Sequence, residues 1–165
     1  MTATYEPIST QTLGTAIADI YFTSIPQTYT DLVLVISSKS ASFQQIGYRL
    51  NSDNGTNYSH TQLAGTGASA VSQRQSGETY AKLNWYGGSG NQWGVTIAHF
   101  MNYSNTTTYK TCISRGNVLA EFTGADATVS LWRNTSAITA INVLGQGGAN
   151  YSVGSTFTLY GIKAE

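Results

Sequence analysis

The sequence predicts an all-β chain folded as a two-sheet antiparallel sandwich, jelly-roll-like, with about ten strands. Three observations carry that expectation. Short runs rich in β-branched and aromatic residues fill most of the chain. Turn signals built from Gly, Asn, Asp and Ser separate them about every ten residues. No window places apolar residues at i, i+3, i+4 and i+7 over three turns, the spacing an amphipathic helix requires. A chain of 165 residues is long enough to bury about 70% of its unfolded surface, so a single core is expected. Residues 16–165 form the sandwich domain in this reading, preceded by an N-terminal segment, 1–15.

That first segment carries Tyr5-Glu6-Pro7-Ile8, which suits either an edge of the sandwich or an arm reaching a neighbouring chain. Pro7 stiffens an extended backbone and favours the arm. Residues 18–23 are the first clear strand, closed at Ile25-Pro26-Gln27-Thr28, where proline fixes φ and ends pairing. Residues 31–37 are a nearly continuous apolar run, the pattern of a central strand, and Lys39 and Ser40 return the chain to solvent. In 45–51, Ile46, Tyr48 and Leu50 alternate with Gly47, Arg49 and Asn51. The strand breaks at Ser52-Asp53-Asn54-Gly55, a hairpin or tight-turn signal that makes 58–63 the returning strand.

Residues 65–77, rich in Ser, Ala and Gly, are expected as a loop, and Gly87-Gly88-Ser89-Gly90 as a second tip flanked by Trp85-Tyr86 and Trp93. Strands follow at 95–103, 107–115, 119–122 and 128–133. Ser104-Asn105, Gly116-Asn117 and Gly124-Ala125-Asp126 supply the turns between them. Residues 137–144 and 156–162 close the sandwich. Neither a heptad nor an internal repeat is present, so the sequence encodes no fibre shaft.

Charge is low: 10% of residues are Asp, Glu, Lys or Arg, against about 25% in an ordinary domain. Solubility therefore rests on Ser, Thr, Asn, Gln and Tyr, groups that hydrogen-bond to water or to a partner without the cost of desolvating ions. Such a surface suits packing against copies of the same chain or against sugar hydroxyls. Eight basic and eight acidic residues leave no cluster for nucleic acid or anionic lipid, so neither partner is expected. No apolar run approaches a membrane span, and the first residues lack the basic start and apolar core of a signal peptide. Synthesis and retention in the cytoplasm of the producing cell are expected. The six Asn-x-Ser/Thr sequons, at Asn54, Asn57, Asn102, Asn105, Asn134 and Asn150, then follow from composition, and glycosylation is not expected.

Catalytic and metal constellations are weak. Cys112, the one cysteine, sits in a strand pattern without a reactive-thiol signature and is expected as a small buried or half-buried residue and not as a nucleophile. His60 and His99 have no second ligand at metal spacing in their own strands. Asn51-x-Asp53-x-Gly55 resembles the start of a calcium loop, but the bidentate Glu is missing and a turn accounts for it. Among the carboxylates, Glu121 on an expected strand is the one to inspect for glycoside hydrolysis. No Gly-x-Ser-x-Gly elbow occurs, and Gly145-Gln146-Gly147-Gly148 precedes no helix, so it cradles no phosphate. No cofactor or metal is expected, and the chain is read as a non-enzyme. Trp85, Tyr86 and Trp93 are either core residues of two paired strands, a protein interface or a stacking platform for glycan. With Tyr5, Pro7 and Ile8 they are the candidate interface residues.

Four segments in order carry a family resemblance. They are 24–35 (Ser24-Ile25-Pro26-Gln27-Thr28-Tyr29, then Thr30-Asp31-Leu32-Val33-Leu34-Val35), 53–59 (Asp53-Asn54-Gly55-Thr56-Asn57-Tyr58-Ser59), 102–111 (Asn102-Tyr103-Ser104-Asn105-Thr106 to Thr111) and 132–162, which ends in Asn150-Tyr151-Ser152-Val153-Gly154 to Ile162. Together they resemble a family of small jelly-roll-like virion structural proteins of tailed bacteriophages, common among phages of cyanobacteria and other aquatic hosts. Residues 65–91 match it least. The resemblance implies a capsid decoration or cement protein, or a module of tail and fibre proteins, and it brings no catalytic residues. One compact domain without a shaft favours the capsid. The expectation is a homo-oligomer, a homotrimer, on the outer capsid surface, binding and stabilising the major capsid protein lattice. The alternative is a tail or tail-fibre module recognising host cell-surface polysaccharide.

Overall fold

A computed structural model of the chain describes residues 4–42, 45–85, 92–118, 124–146 and 150–163. Twelve strands occur among them and no helix. They are β1 (Tyr5–Thr12), β2 (Asp19–Phe22), β3 (Asp31–Ser38), β4 (Gln45–Leu50), β5 (Tyr58–Gly65) and β6 (Ala70–Glu78), then β7 (Ala81–Lys82), β8 (Gly94–Met101), β9 (Lys110–Val118), β10 (Gly124–Trp132), β11 (Ile141–Gln146) and β12 (Thr156–Ile162). Eight form one sheet in the order β1-β12-β3-β8-β9-β10-β5-β6, and four form a second in the order β2-β11-β4-β7. Every named pairing is antiparallel. The expected all-β, two-sheet antiparallel sandwich is the observed fold, with twelve described strands in place of about ten.

Burial alternates along the strands because successive side chains point to opposite faces. Leu32, Leu34 and Ile36 of β3, Phe100 of β8 and Phe157 and Leu159 of β12 meet Ile20 and Phe22 of β2, Tyr48 and Leu50 of β4 and Ile141 and Val143 of β11 in one apolar cluster. Tyr48 and Phe100 touch edge to face across the two sheets, 5.2 Å between ring centroids, the offset the aromatic quadrupole favours.

Four expectations are corrected. Residues 5–12 are not an extended arm: β1 pairs with β12 from Tyr5↔Ile162 to Thr12↔Thr156, and half-buried Ile8 packs against the core. Of residues 65–77, expected as loop, all from Ala70 on belong to the edge strand β6, returned by a turn in which the Thr66 N–H donates to Ser69 O at 3.0 Å and Gly67 takes a φ of +86°. Gly116 and Asn117 lie inside β9, and residues 124–126 inside β10, paired as Gly124↔Val118 and Asp126↔Gly116. The expected strand at 119–122 and the glycine tip at 87–90 fall outside the described residues.

The turn after β4 is the fourth. Instead of closing a hairpin it carries the chain from the smaller sheet to the larger, because β4 pairs with β11 and β7 while β5 pairs with β10 and β6. Asn51 and Ser52 take φ of 51° and 59°, a left-handed conformation that asparagine tolerates better than most residues. The Asn51 amide repays it, accepting N–H bonds from Thr139 and Ala140 and donating to Ala137 O. The Asp53 carboxylate accepts from Gly55 N, from Asn57 Nδ2 and, at 2.7 Å, from Trp132 Nε1 at the end of β10. Burial alone would raise the Asp53 pKa, but these three donors hold it below the ordinary value. Residues 137–140, expected as the start of a strand, are the segment that Asn51 holds.

Candidate interaction surface

The smaller sheet has half as many strands as the larger. On the larger sheet's inner face under β9, β10 and β5 the side chains are polar and buried: Ser114, then Asp126, Thr128 and Ser130, then His60 and Gln62. The stretch 83–85 covers them. Leu83 O accepts the Ser114 hydroxyl, Asn84 bridges Thr96 Oγ1 at 2.8 Å and Ile46 N at 2.9 Å, and the Trp85 N–H donates to Asp126 Oδ2 at 2.8 Å. Tyr48 OH and Ser130 Oγ, 2.8 Å apart, join this lane to the apolar half. Such groups are costly inside a protein unless paired; within the lane His60 Nδ1 and Gln62 Oε1 are buried without a hydrogen-bond partner.

A consequence appears on the outer face. Since β10 points Asp126, Thr128 and Ser130 inward, its alternate residues Ala125, Ala127, Val129 and Leu131 point away from the core. The strand is inside-out: polar within, apolar without. Its neighbours continue the surface in cross-strand rows. Val33, His99, Ile113, Val129 and Thr61 stand opposite one another across β3, β8, β9, β10 and β5, and Val35, Ile97, Arg115, Ala127 and Leu63 form the next row. Leu63 is 58% exposed, Val129 53%, Ile113 48% and Val95 42%. In these two rows the only permanently charged side chain is Arg115. Contiguous exposed apolar area of this kind marks a surface that meets a partner.

Tyr5 belongs to this surface. It shares a shallow hollow with Val33, His99, Ile113 and Arg115, is 55% exposed, and meets Tyr160 edge on at 6.4 Å. Pro7 is exposed beside it, opposite Tyr160, whereas Ile8 faces the core. The aromatic group around the glycine tip is differently arranged. Trp93, 41% exposed, lies two residues before Val95 with Lys39 Nζ 5.3 Å from its ring centroid, a cation–π contact. Trp85 is half-buried and its backbone is tied to β10. Tyr86 lies outside the described residues. Trp85 and Trp93 are thus anchored by different strands, one on the inner lane and one at the start of β8.

The titratable groups are engaged in structure. His99 Nε2 is 3.1 Å from Asp31 Oδ2, the partner arriving from β3 and not from its own strand, and Asp31 Oδ1 accepts the Asn102 N–H at 2.6 Å. His60 Nε2 is 2.8 Å from Gln75 Oε1, and burial lowers its pKa below the ordinary value. Burial pushes the Cys112 thiol up to about 12, which keeps it protonated and unreactive. Lys110, also buried, donates to Thr108 O and Thr135 O. Glu121 lies outside the described residues. Among the described residues no group of three or more His, Cys, Asp or Glu is placed to hold a metal, and no helix is long and apolar enough to cross a membrane.

The outer face escaped the sequence reading for a definite reason. Alternation with a period of two says which residues share a face, not which face is inside. The available signal was Ala125-Asp126-Ala127-Thr128-Val129-Ser130-Leu131, where both choices of face are defensible. Comparison of the chain with known protein families, with curated proteins and with solved structures finds no match.

Proposed function

We propose that the protein is a non-enzymatic virion structural protein, a capsid decoration or cement protein that docks on the major capsid lattice as a homo-oligomer through the outer face of its larger sheet. The observation that carries this reading is the inside-out strand β10, flanked by Ile113 and Leu63, which presents apolar side chains where a solvated strand would present polar ones. The resemblance of 24–35, 53–59, 102–111 and 132–162 to tailed-phage virion proteins supports the virion; the low charge supports a surface that is covered by protein. Stabilisation in this reading is mechanical. Each copy adds a modest interface, and many copies across a lattice add up through multivalency.

The test is binding of the purified protein to shells of the major capsid protein, with Ile113→Lys and Val129→Lys introduced together. Saturable binding that falls at least about tenfold in the double variant, equivalent to about 1.4 kcal/mol, is expected, with shells that survive a higher temperature when decorated. Binding unchanged by the two lysines, or a protein that binds a polysaccharide array and ignores the shells, would overturn the reading.

A further inference from the structure

A sheet edge is a row of unpaired backbone donors and acceptors, and proteins blunt such edges with proline, bulges, lysine or short strands. Three of the four edges here are blunted. β1 carries Pro7 and a register shift between Pro7 and Ser9; β2 has 4 residues and β7 has 2. β6 is different. It runs for 9 residues, none of them buried, and its 70–76 stretch pairs with β5 in unbroken register from Gly65↔Ala70 to Ser59↔Ser76. That stretch, Ala70-Val71-Ser72-Gln73-Arg74-Gln75-Ser76, has no proline, no lysine and one charge. The one irregularity lies beyond it, at Gly77, where φ is +72°.

We propose that β6 pairs antiparallel with β6 of a second copy of this chain, joining the two larger sheets edge to edge about a two-fold axis. A second copy is the occupant because among the described residues no other edge offers a long open strand free of proline and bulge, so a head-to-tail ring or filament through β6 has no matching receiving edge. Ser and Gln side chains also both donate and accept hydrogen bonds, so this strand is complementary to itself. Directly opposite residues of an antiparallel pair share a face, and like charges opposite one another repel. The register that pairs the whole 70–76 stretch, ends before Gly77 and spares Arg74 from facing itself places Gln73 on the axis, with Val71 opposite Gln75 of the copy and Ser72 opposite Arg74. This inference is independent of the proposed function: it concerns self-association in solution and uses no capsid component.

Directly opposite residues in such a pair bring their Cα atoms to about 4.5–5.5 Å, inside the range a disulfide accepts. Gln73→Cys is therefore the diagnostic variant, and Cys112, the only native cysteine, is buried and does not compete. Under mild oxidation it is expected to convert to a covalent dimer, while Val129→Cys on the outer face stays monomeric on a non-reducing gel. Unmodified protein is expected to sediment at about twice 17.6 kDa, and Ser72→Lys with Gln73→Lys to sediment as a folded monomer whose unfolding midpoint, unlike that of the unmodified protein, does not rise with protein concentration. The proposal is overturned by a protein that stays monomeric up to about 100 μM, where even a weak contact registers, by a trimer, or by cross-linking through residue 129 and not 73.

Discussion

Gly161 shows how much a single missing methyl can decide. It lies on β12 under the ring of Tyr29, and a Cβ built there would come within 2.3–2.4 Å of three ring atoms. Tyr29 in turn donates its hydroxyl to Glu6 Oε2 at 3.2 Å, and Lys163 bonds the other Glu6 oxygen at 2.7 Å while lying over the Tyr29 ring. Gly161→Ala is expected to expel the ring and cost about 1–3 kcal/mol by overpacking. The same change made beside Tyr29→Ala should cost much less, so the two effects fail to add in denaturant unfolding. His60 gives a pH test. Its pKa is lowered from 6.5 because burial outweighs the opposing hydrogen bond to Gln75, with lesser effects of Lys82, which lowers it, and Glu78, which raises it. The unfolded chain therefore binds the proton more readily, and this contribution is complete above pH 6.5 and drains away as pH falls from there towards the folded-state pKa. His60→Gln should flatten that part of the stability profile, read from unfolding midpoints. Residues of this kind were unevenly legible. Asn51, Asp53 and Gly55 announce a turn by type, but the reach of Asp53 to Trp132, 79 positions away, has no local signature. Cys112 as a buried, unreactive residue was legible, whereas the Asp31 partner of His99 was not, because it comes from the neighbouring strand.

At the level of elements, composition misled where small residues build a strand. β6 is built mostly of Ala, Ser, Gln and Gly, residues that do not announce a strand, and becomes one because β5 offers it a ladder. Propensity in sheets is mostly a statement about neighbours. The long apolar run of β3 was legible because the strand is central, flanked by β12 and β8, with Leu32, Val33, Leu34 and Ile36 buried, and the closing strand β12 because Phe157 and Leu159 alternate cleanly with polar positions. β10 is the instructive case: its period was plain, its inside was not. The Ile113→Lys and Val129→Lys pair belongs to this scale. Both side chains are about half exposed, so in the isolated protein each substitution should change stability by no more than about 0.5 kcal/mol, measured by thermal unfolding. A large loss would mean that the outer face is packed within one chain and has no need of a partner.

Taken whole, the molecule is held by burial and by a hydrogen-bonded polar lane, with little help from charge. Two ion pairs occur among the described residues, His99–Asp31 and Lys163–Glu6, both on side chains with access to water. Screening should therefore matter little: raising salt from about 0.01 M to 0.1 M shortens the Debye length from about 30 to 10 Å, yet the unfolding midpoint should hold nearly constant. A strong dependence would point to charge interactions beyond these pairs. The sheet order has a further consequence, for the making of the molecule. β12 follows the other eleven described strands in sequence, yet it lies between β1 and β3, so β1 has no partner in its sheet until β12 has been made. During synthesis β1 must wait, unpaired, for more than 140 residues to emerge between it and its mate, from Thr12 to Thr156. The larger sheet is completed by inserting a strand into its interior and not by adding one at its rim, so its closure waits for β12 whichever strands assemble first.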